Sequence, residues 1–198
     1  MIQPNFKFFF NNKSETLDVI LHGGSQGMDS SLINKLVEKS KSLGNSVVAF
    51  NFLYIERGEE NSSGPELIEE LDALQFVMDY CRSGDFKHIR LIGKSLGGVV
   101  AASYLTKLTP ENMSRFSAII LGYDIGYIDI KSFTGKIKIV QGSKDKFGDI
   151  EVVKSDIKGL ASKEIAYVSI EGADHSYRVP ETKDPIYEDD AVNAAFEI

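Results

Sequence analysis

His88-Ile89-Arg90-Leu91-Ile92-Gly93-Lys94-Ser95-Leu96-Gly97-Gly98 carries a short apolar strand straight into a Gly-x-Ser-x-Gly turn. Beyond it, Leu96–Leu108 reads as a helix that Thr109-Pro110 stops. Strand, turn and helix in that order give the pattern a mechanical meaning. The glycines let the backbone turn sharply without a Cβ clash, which pushes the Ser95 side chain out above the carboxyl edge of a sheet. Ser95 then stands at a helix N-terminus, where free backbone N–H groups favour negative charge beside it. The amide of Leu96 is the natural first donor to such a charge. Read structurally, the same glycines only allow close helix packing, with Ser95 as an N-cap. The segment lacks both the GxGxxG spacing of a dinucleotide site and the GxxxxGK[ST] ending of a phosphate loop.

Outward from this turn, apolar runs of strand length alternate with segments of helical period, which predicts βαβ units and a largely parallel sheet. Phe6–Phe10 and Leu17–Leu21 read as opening strands, and the Asn11-Asn12-Lys13-Ser14 turn between them suggests a hairpin. Asp29–Leu43 reads as a helix ended by Gly44, and Ser46–Phe52 as the next strand. Pro65 suits the first turn of a helix carrying Leu67, Ile68, Leu71, Leu74, Val77 and Tyr80, which ends near Ser83-Gly84. Ser117–Gly122, Lys136–Gln141 and Ile165–Ile170 follow as strands, with helices expected over Asp149–Gly159 and Pro185–Ile198. The loop Tyr123–Gly135 is too short for a separate cap. No repeat or low-complexity tract breaks the chain, so residues 1–198 read as one α/β domain.

Composition narrows the partners. Twenty-two Lys and Arg stand against 29 Asp and Glu, a formal charge of −7 with no basic cluster, which argues against nucleic acid. The single cysteine, Cys81, reads as a buried small side chain, and the sequence offers no zinc motif. Phe6-Lys7-Phe8-Phe9-Phe10 is too short and interrupted for a leader, and no apolar run reaches the roughly 20 residues of a membrane span. A cytoplasmic protein with no membrane partner is expected.

A serine hydroxyl needs a base, and the base needs an orienting group. Of the three histidines, His88 opens the strand leading to the turn, far from its carboxyl end, and His22 sits in a His22-Gly23-Gly24 loop that can shape a site. His175, in Gly172-Ala173-Asp174-His175-Ser176, follows the last strand and shares the edge of Ser95. Asp145, after Lys136–Gln141, is placed to accept the Nδ1 proton and stabilise an imidazolium. Asp124, after the preceding strand, is its rival. Asp174, adjacent to the histidine, diverges from it, and Asp149 is read as a helix cap.

Taken together these residues resemble the α/β-hydrolase superfamily, and the likeness covers nearly the whole chain. It is carried by His22-Gly23-Gly24, by Gly93-Lys94-Ser95-Leu96-Gly97-Gly98, by Gly142-Ser143-Lys144-Asp145 and by Asp174-His175, in the order Ser, Asp, His. Among its members the chain is most similar to compact, capless serine hydrolases of the dienelactone-hydrolase-like or acyl-esterase-like kind. The resemblance implies a mostly parallel sheet with helices on both faces and no separate cap. It also implies a Ser95–His175–Asp145 triad, and an oxyanion hole from the amides of Leu96 and Gly24, with Ser25 in reserve. His22 is expected to hold the loop and not to act as base. Acyl transfer from a small ester or thioester to water follows, with no cofactor and no metal. A silent binding module, a peptidase and an acyltransferase remain the other readings. Tyr123 and Ile125, with Tyr127 and Ile128, are expected to wall the acyl pocket, with Tyr54 a further candidate. Lacking a lid, the pocket should be shallow and suit short acyl groups.

Overall fold

The computed structural model describes residues 3–197. Seven strands, Phe6–Phe9 (β1), Thr16–Leu21 (β2), Ser46–Phe50 (β3), His88–Lys94 (β4), Phe116–Leu121 (β5), Lys136–Gly142 (β6) and Ile165–Ile170 (β7), form one sheet in the order β1-β3-β2-β4-β5-β6-β7. β1 is antiparallel to β3, and every other pairing is parallel. Side chains alternate between two buried faces, as a strand covered on both sides requires. Val48 and Phe50, Ile89 and Leu91, and Ile137 and Ile139 enter one core; Val47 and Ala49, Ile92 and Val140 enter the other.

Helices Ser31–Ser42 (α1), Leu53–Glu56 (α2), Ile68–Tyr80 (α3), Leu96–Leu105 (α4), Pro110–Met113 (α5), Ile150–Asp156 (α6) and Glu188–Phe196 (α7) connect the strands. α1 and α7 cover one face through Leu32, Leu36, Ala191 and Ala195; α3, α4 and α6 cover the other through Leu74, Val77, Val100, Leu105 and Val153. Asp149 caps α6 as expected, its carboxylate accepting from the amides of Glu151 and Val152. The terminal helix is shorter than Pro185–Ile198, and Ile198 lies outside the described residues. Helix α4 ends at Leu105, and Thr109-Pro110, read as its stop, instead opens α5 with Thr109 at the N-cap and Pro110 in the first turn.

Two further expectations are corrected. β1 and β2 do not form a hairpin: β2 is buried along its length and takes parallel partners on both sides, β3 and β4, so β1 crosses to the free side of β3. The half-exposed alternation of β1 suits that edge position. Pro65 does not open α3. The chain first turns through Leu67, at φ 52°, and the helix begins at Ile68.

Because β2–β7 run parallel, their carboxyl ends meet at one edge of the sheet, and the loops leaving them gather there. The sheet is anchored near its opposite edge by a partly buried ion pair. The fully buried Asp18 receives Arg90 Nε at 2.8 Å and Nη2 at 2.7 Å, with Ser40 Oγ at 2.6 Å and Asn45 Nδ2 at 3.0 Å completing its shell.

Candidate active site

Ser95 lies between β4 and α4 with φ 49° and ψ −117°, a conformation that L-residues rarely hold and that costs about 1–3 kcal/mol. Its backbone is fixed from both sides. The Ser95 amide donates to Leu121 O of β5 at 2.9 Å, and its carbonyl accepts from Gly98 N at 2.7 Å. The flanking glycines serve close approach. A Cβ on Gly93 would stand 2.4 Å from Gly97 O, and one on Gly97 would stand 2.4 Å from Leu21 O. The serine itself therefore bears the strain, while glycine lets α4 settle onto β4 and β2.

His175 follows β7, and Asp145 follows β6. Nδ1 of His175 lies 2.7 Å from Asp145 Oδ2, and a carboxylate in that position fixes the proton on Nδ1. Asp145 is held in turn by Gln141 Nε2 at 2.9 Å and by the Phe147 amide at 2.9 Å. The Phe147 ring packs edge-on against the imidazole, 4.8 Å between centroids. The structure thus brings Asp145 and His175 together at the edge that carries Ser95.

Asp124 occupies a different place from the one weighed for it. It does not reach Nδ1. Ser95 Oγ donates to Asp124 Oδ2 at 2.8 Å, and Asp124 Oδ1 lies 3.5 Å from His175 Nε2. That oxygen is buried with no hydrogen-bond partner among the described residues. Asp124 therefore stands between the serine and the imidazole. Asp174, as expected, turns away from the ring: its carboxylate closes the loop through the amides of Ser176 and Arg178 and meets Lys183 at 3.3 Å.

The loop after β2 is tied down by two buried rings. Phe52 N donates to His22 Nε2 at 2.9 Å, so the ring proton sits on Nδ1 and reaches Gly23 O at 2.7 Å. Burial lowers the His22 pKa, keeping the ring neutral for this task. Tyr54 Oη donates to Gly24 O at 3.0 Å, and burial raises its pKa, so it stays a donor. In trans peptides the N–H points opposite the preceding C=O. With both carbonyls turned to the rings, the amides of Gly24 and Ser25 face the other way. Gly23, Gly24, Ser25 and Ser95 line one small cavity.

The residues expected to wall an acyl pocket do not do so. Tyr123 is fully buried, its single hydroxyl proton lying within reach of two acceptors, Asp156 Oδ2 at 2.9 Å and Ile128 O at 3.0 Å. Ile125 and Ile128 pack into the same core, Tyr127 points to solvent, and Tyr54 is buried. The loop after β5 folds inward because its apolar residues fill the sheet face between α4 and α6, leaving Asp124 as its contribution to the site.

Two cations emerge instead. Lys94, the residue before the serine, is 8% exposed. Burial pushes its pKa down to about 8, against the opposing pull of Asp124, Asp145 and Asp174. Room for it comes from Gly122, where a Cβ would stand 2.8 Å from Lys94 Nζ and 3.1 Å from His175 Cε1. Arg178 follows His175 by three residues, and its buried Nε has no hydrogen-bond partner among the described residues. Both line the small cavity of about 120 Å³ beside Ser95, which opens next to a broader cleft bordered by Phe147, His175 and Arg178. Among the described residues no group of three or more His, Cys, Asp or Glu side chains is placed to hold a metal ion, and no helix is long and apolar enough to cross a membrane.

The fold has relatives among known proteins. A family model described as an alpha/beta hydrolase domain matches residues 14–198. An alpha-beta serine hydrolase homologue from Coxiella burnetii superposes with a TM-score of 0.74 at 18% identity, covering 95% of this chain and 89% of that one. Est1E from Butyrivibrio proteoclasticus, solved with ferulic acid bound, gives 0.72 at 15% identity over 97% and 92%. A Xanthomonas campestris protein described as an α/β serine hydrolase without a lid gives 0.72 at 18% identity over 97% and 87%. No curated protein matches the chain.

Proposed function

The chain belongs to the alpha/beta hydrolase domain family, and from that premise we propose that it is a serine hydrolase cleaving a carboxylic ester or thioester of a small substrate. Ser95 is the nucleophile, His175 its base, and Asp145 the group that orients the imidazole and stabilises the imidazolium. The observation that carries the reading is the 2.7 Å bond from His175 Nδ1 to Asp145, which leaves Nε2 on the side of the ring where Asp124 links it to Ser95, 3.5 Å from Asp124 Oδ1.

The steps follow from that arrangement. The Ser95 hydroxyl turns from Asp124 to Nε2 as substrate enters, Nε2 takes its proton, and Oγ attacks the acyl carbon. The oxyanion forms against the amide of Leu96 at the start of α4 and that of Gly24, with Ser25 the alternative donor in the tethered loop. The imidazolium gives its proton to the leaving alcohol or thiol. Water, activated by the same nitrogen, then releases the acid. Asp124 Oδ1 is placed to meet a protonated Nε2 while the imidazolium exists. The absence of a long insertion over the site suits small acyl groups, and bound ferulic acid in Est1E is itself a carboxylic acid. The charge, the buried lone Cys81 and the soluble character of this reading fit a cytoplasmic enzyme.

A silent binding protein is the second reading, favoured by one observation: Ser95 bonds Asp124 at rest. Labelling with a fluorophosphonate, followed by peptide mapping, separates the two. Labelling at Ser95 that disappears in His175→Ala supports the hydrolase. A folded protein that does not label is the binding module.

A further inference from the structure

A buried cation without a hydrogen-bonded partner is costly, and such groups are normally neutralised. This molecule keeps one, Lys94, beside the serine, together with Arg178, a half-buried cation whose Nε is enclosed. Among the described residues Lys94 meets Asp124, Asp145 and Asp174 through space only, and Arg178 Nε has no hydrogen-bond partner. Both side chains line the cavity of about 120 Å³ that also holds Gly24, Ser25 and Ser95. Its one acidic lining residue, Glu188, is already engaged by Ser31 Oγ at 2.6 Å and Lys35 at 3.3 Å. Asp124 borders neither this cavity nor the cleft outside it. In that cleft Lys144, Lys146, Lys183 and Arg178 outnumber Glu60 and Asp174, on a chain whose net charge is −7. A cationic mouth on an acidic protein attracts anions against the overall field.

From this juxtaposition we propose that the substrate is itself anionic: an ester or thioester bearing a carboxylate or phosphate that seats against Lys94 and Arg178 next to Ser95. The proposal rests on the serine hydrolase reading and names its substrate class. The guanidinium supplies a planar fork matched to either anion, and Lys94 supplies a point charge from below. The cavity has room for such a group but not for a long acyl chain.

The test compares mono-p-nitrophenyl glutarate with p-nitrophenyl valerate, esters of similar length that differ by the terminal carboxylate. The expected kcat/KM favours the glutarate by about 10–100-fold, the range of one charge-assisted hydrogen bond. In Arg178→Gln and in Lys94→Met that ratio falls to within about threefold of unity, Arg178→Lys restores part of it, and Lys13→Gln, on a distant turn, leaves it unaltered. Since Lys94→Met replaces a buried charge by an apolar side chain of similar shape, it retains a folded reference should Arg178→Gln be unstable. Binding of glutarate and of inorganic phosphate, followed by calorimetry, reads the site without turnover and tells the two anions apart. Equal rates for both esters together with no anion binding would overturn the proposal. Anion binding lost in Arg178→Gln, in a protein that fails to label at Ser95, would keep this site and sink the hydrolase. Labelling without anion preference would do the reverse.

Discussion

At Ser95 the backbone holds φ 49° in a residue that has a Cβ, and the resulting strain can be measured. Ser95→Gly removes the steric penalty and is expected to raise unfolding stability by about 1 kcal/mol in urea titrations, whereas Ser95→Ala, which keeps a Cβ, is not. The two carboxylates near His175 should separate just as cleanly. Asp145→Ala strips the partner from Nδ1 and is expected to lower kcat by roughly 10³–10⁴-fold. Asp124→Ala removes the acceptor that holds the Ser95 hydroxyl away from Nε2, and fluorophosphonate labelling should accelerate about 3–10-fold, a fraction of the worth of one hydrogen bond to a charged group. A fall greater than tenfold would instead make Asp124 part of the proton path. Of these residues, Ser95, His175 and Asp145 stand out in the sequence because turn chemistry and position after a strand mark them. Asp124 is visible only as a rival, since its contact with Ser95 depends on how the loop after β5 folds inward. Lys94 is hidden altogether: it fills a variable place in the turn motif, and its burial requires that Gly122, just past the end of β5, lack a side chain.

Among the elements, the strand-turn-helix around Ser95 was legible because glycine spacing and hydrophobic period agree there, while the partner of β1 was not. Adjacency in sequence favours a hairpin, but the two-sided burial of β2 demands parallel neighbours on both flanks, and no local signal carries that demand. The turn after β1 is instead fastened to β3, with the Asn11 amide donating to Ser46 Oγ at 3.0 Å and Asn11 Nδ2 to Gly44 O at 2.7 Å. Helix α4 is seated by small residues in the same way. Gly97→Ala would drive a methyl to 2.4 Å from the carbonyl of Leu21, a backbone atom that cannot move aside. The expected loss is about 2–4 kcal/mol, the range of a core overpacked against something rigid. Gly24→Ala is the matched control, because a Cβ there meets nothing within 4 Å. It should unfold within about 0.5 kcal/mol of the parent, and equal losses in the two variants would refute the close-approach account of Gly97.

Across the whole molecule, the six parallel strands β2–β7 send the loops after their carboxyl ends to one edge, and the charge gathered there shapes the pH dependence of stability. Lys94 in the folded protein titrates at about 8, against 10.5 for the free side chain, because burial disfavours its charged form more than the surrounding carboxylates favour it. A cation whose pKa is depressed by folding is a penalty at low pH. Below about pH 8 both states hold the proton and the penalty is complete. Between about 8 and 10.5 the folded protein releases the proton while the unfolded chain retains it, so unfolding must take up a proton and stability climbs. At about 1.4 kcal/mol per pH unit the full effect is about 3 kcal/mol. Lys94→Met has no such proton, so it should exceed the parent by about 1–3 kcal/mol at pH 7, with the advantage shrinking as urea titrations are repeated up to pH 10. A pH-independent difference would mean that Lys94 is neutral or well solvated at pH 7. The predicted pattern has a functional corollary: a charge that weakens the fold at neutral pH and lies beside the nucleophile is retained at a cost in stability, and an anionic group on the substrate, arriving in the same cavity, would offset that cost on binding.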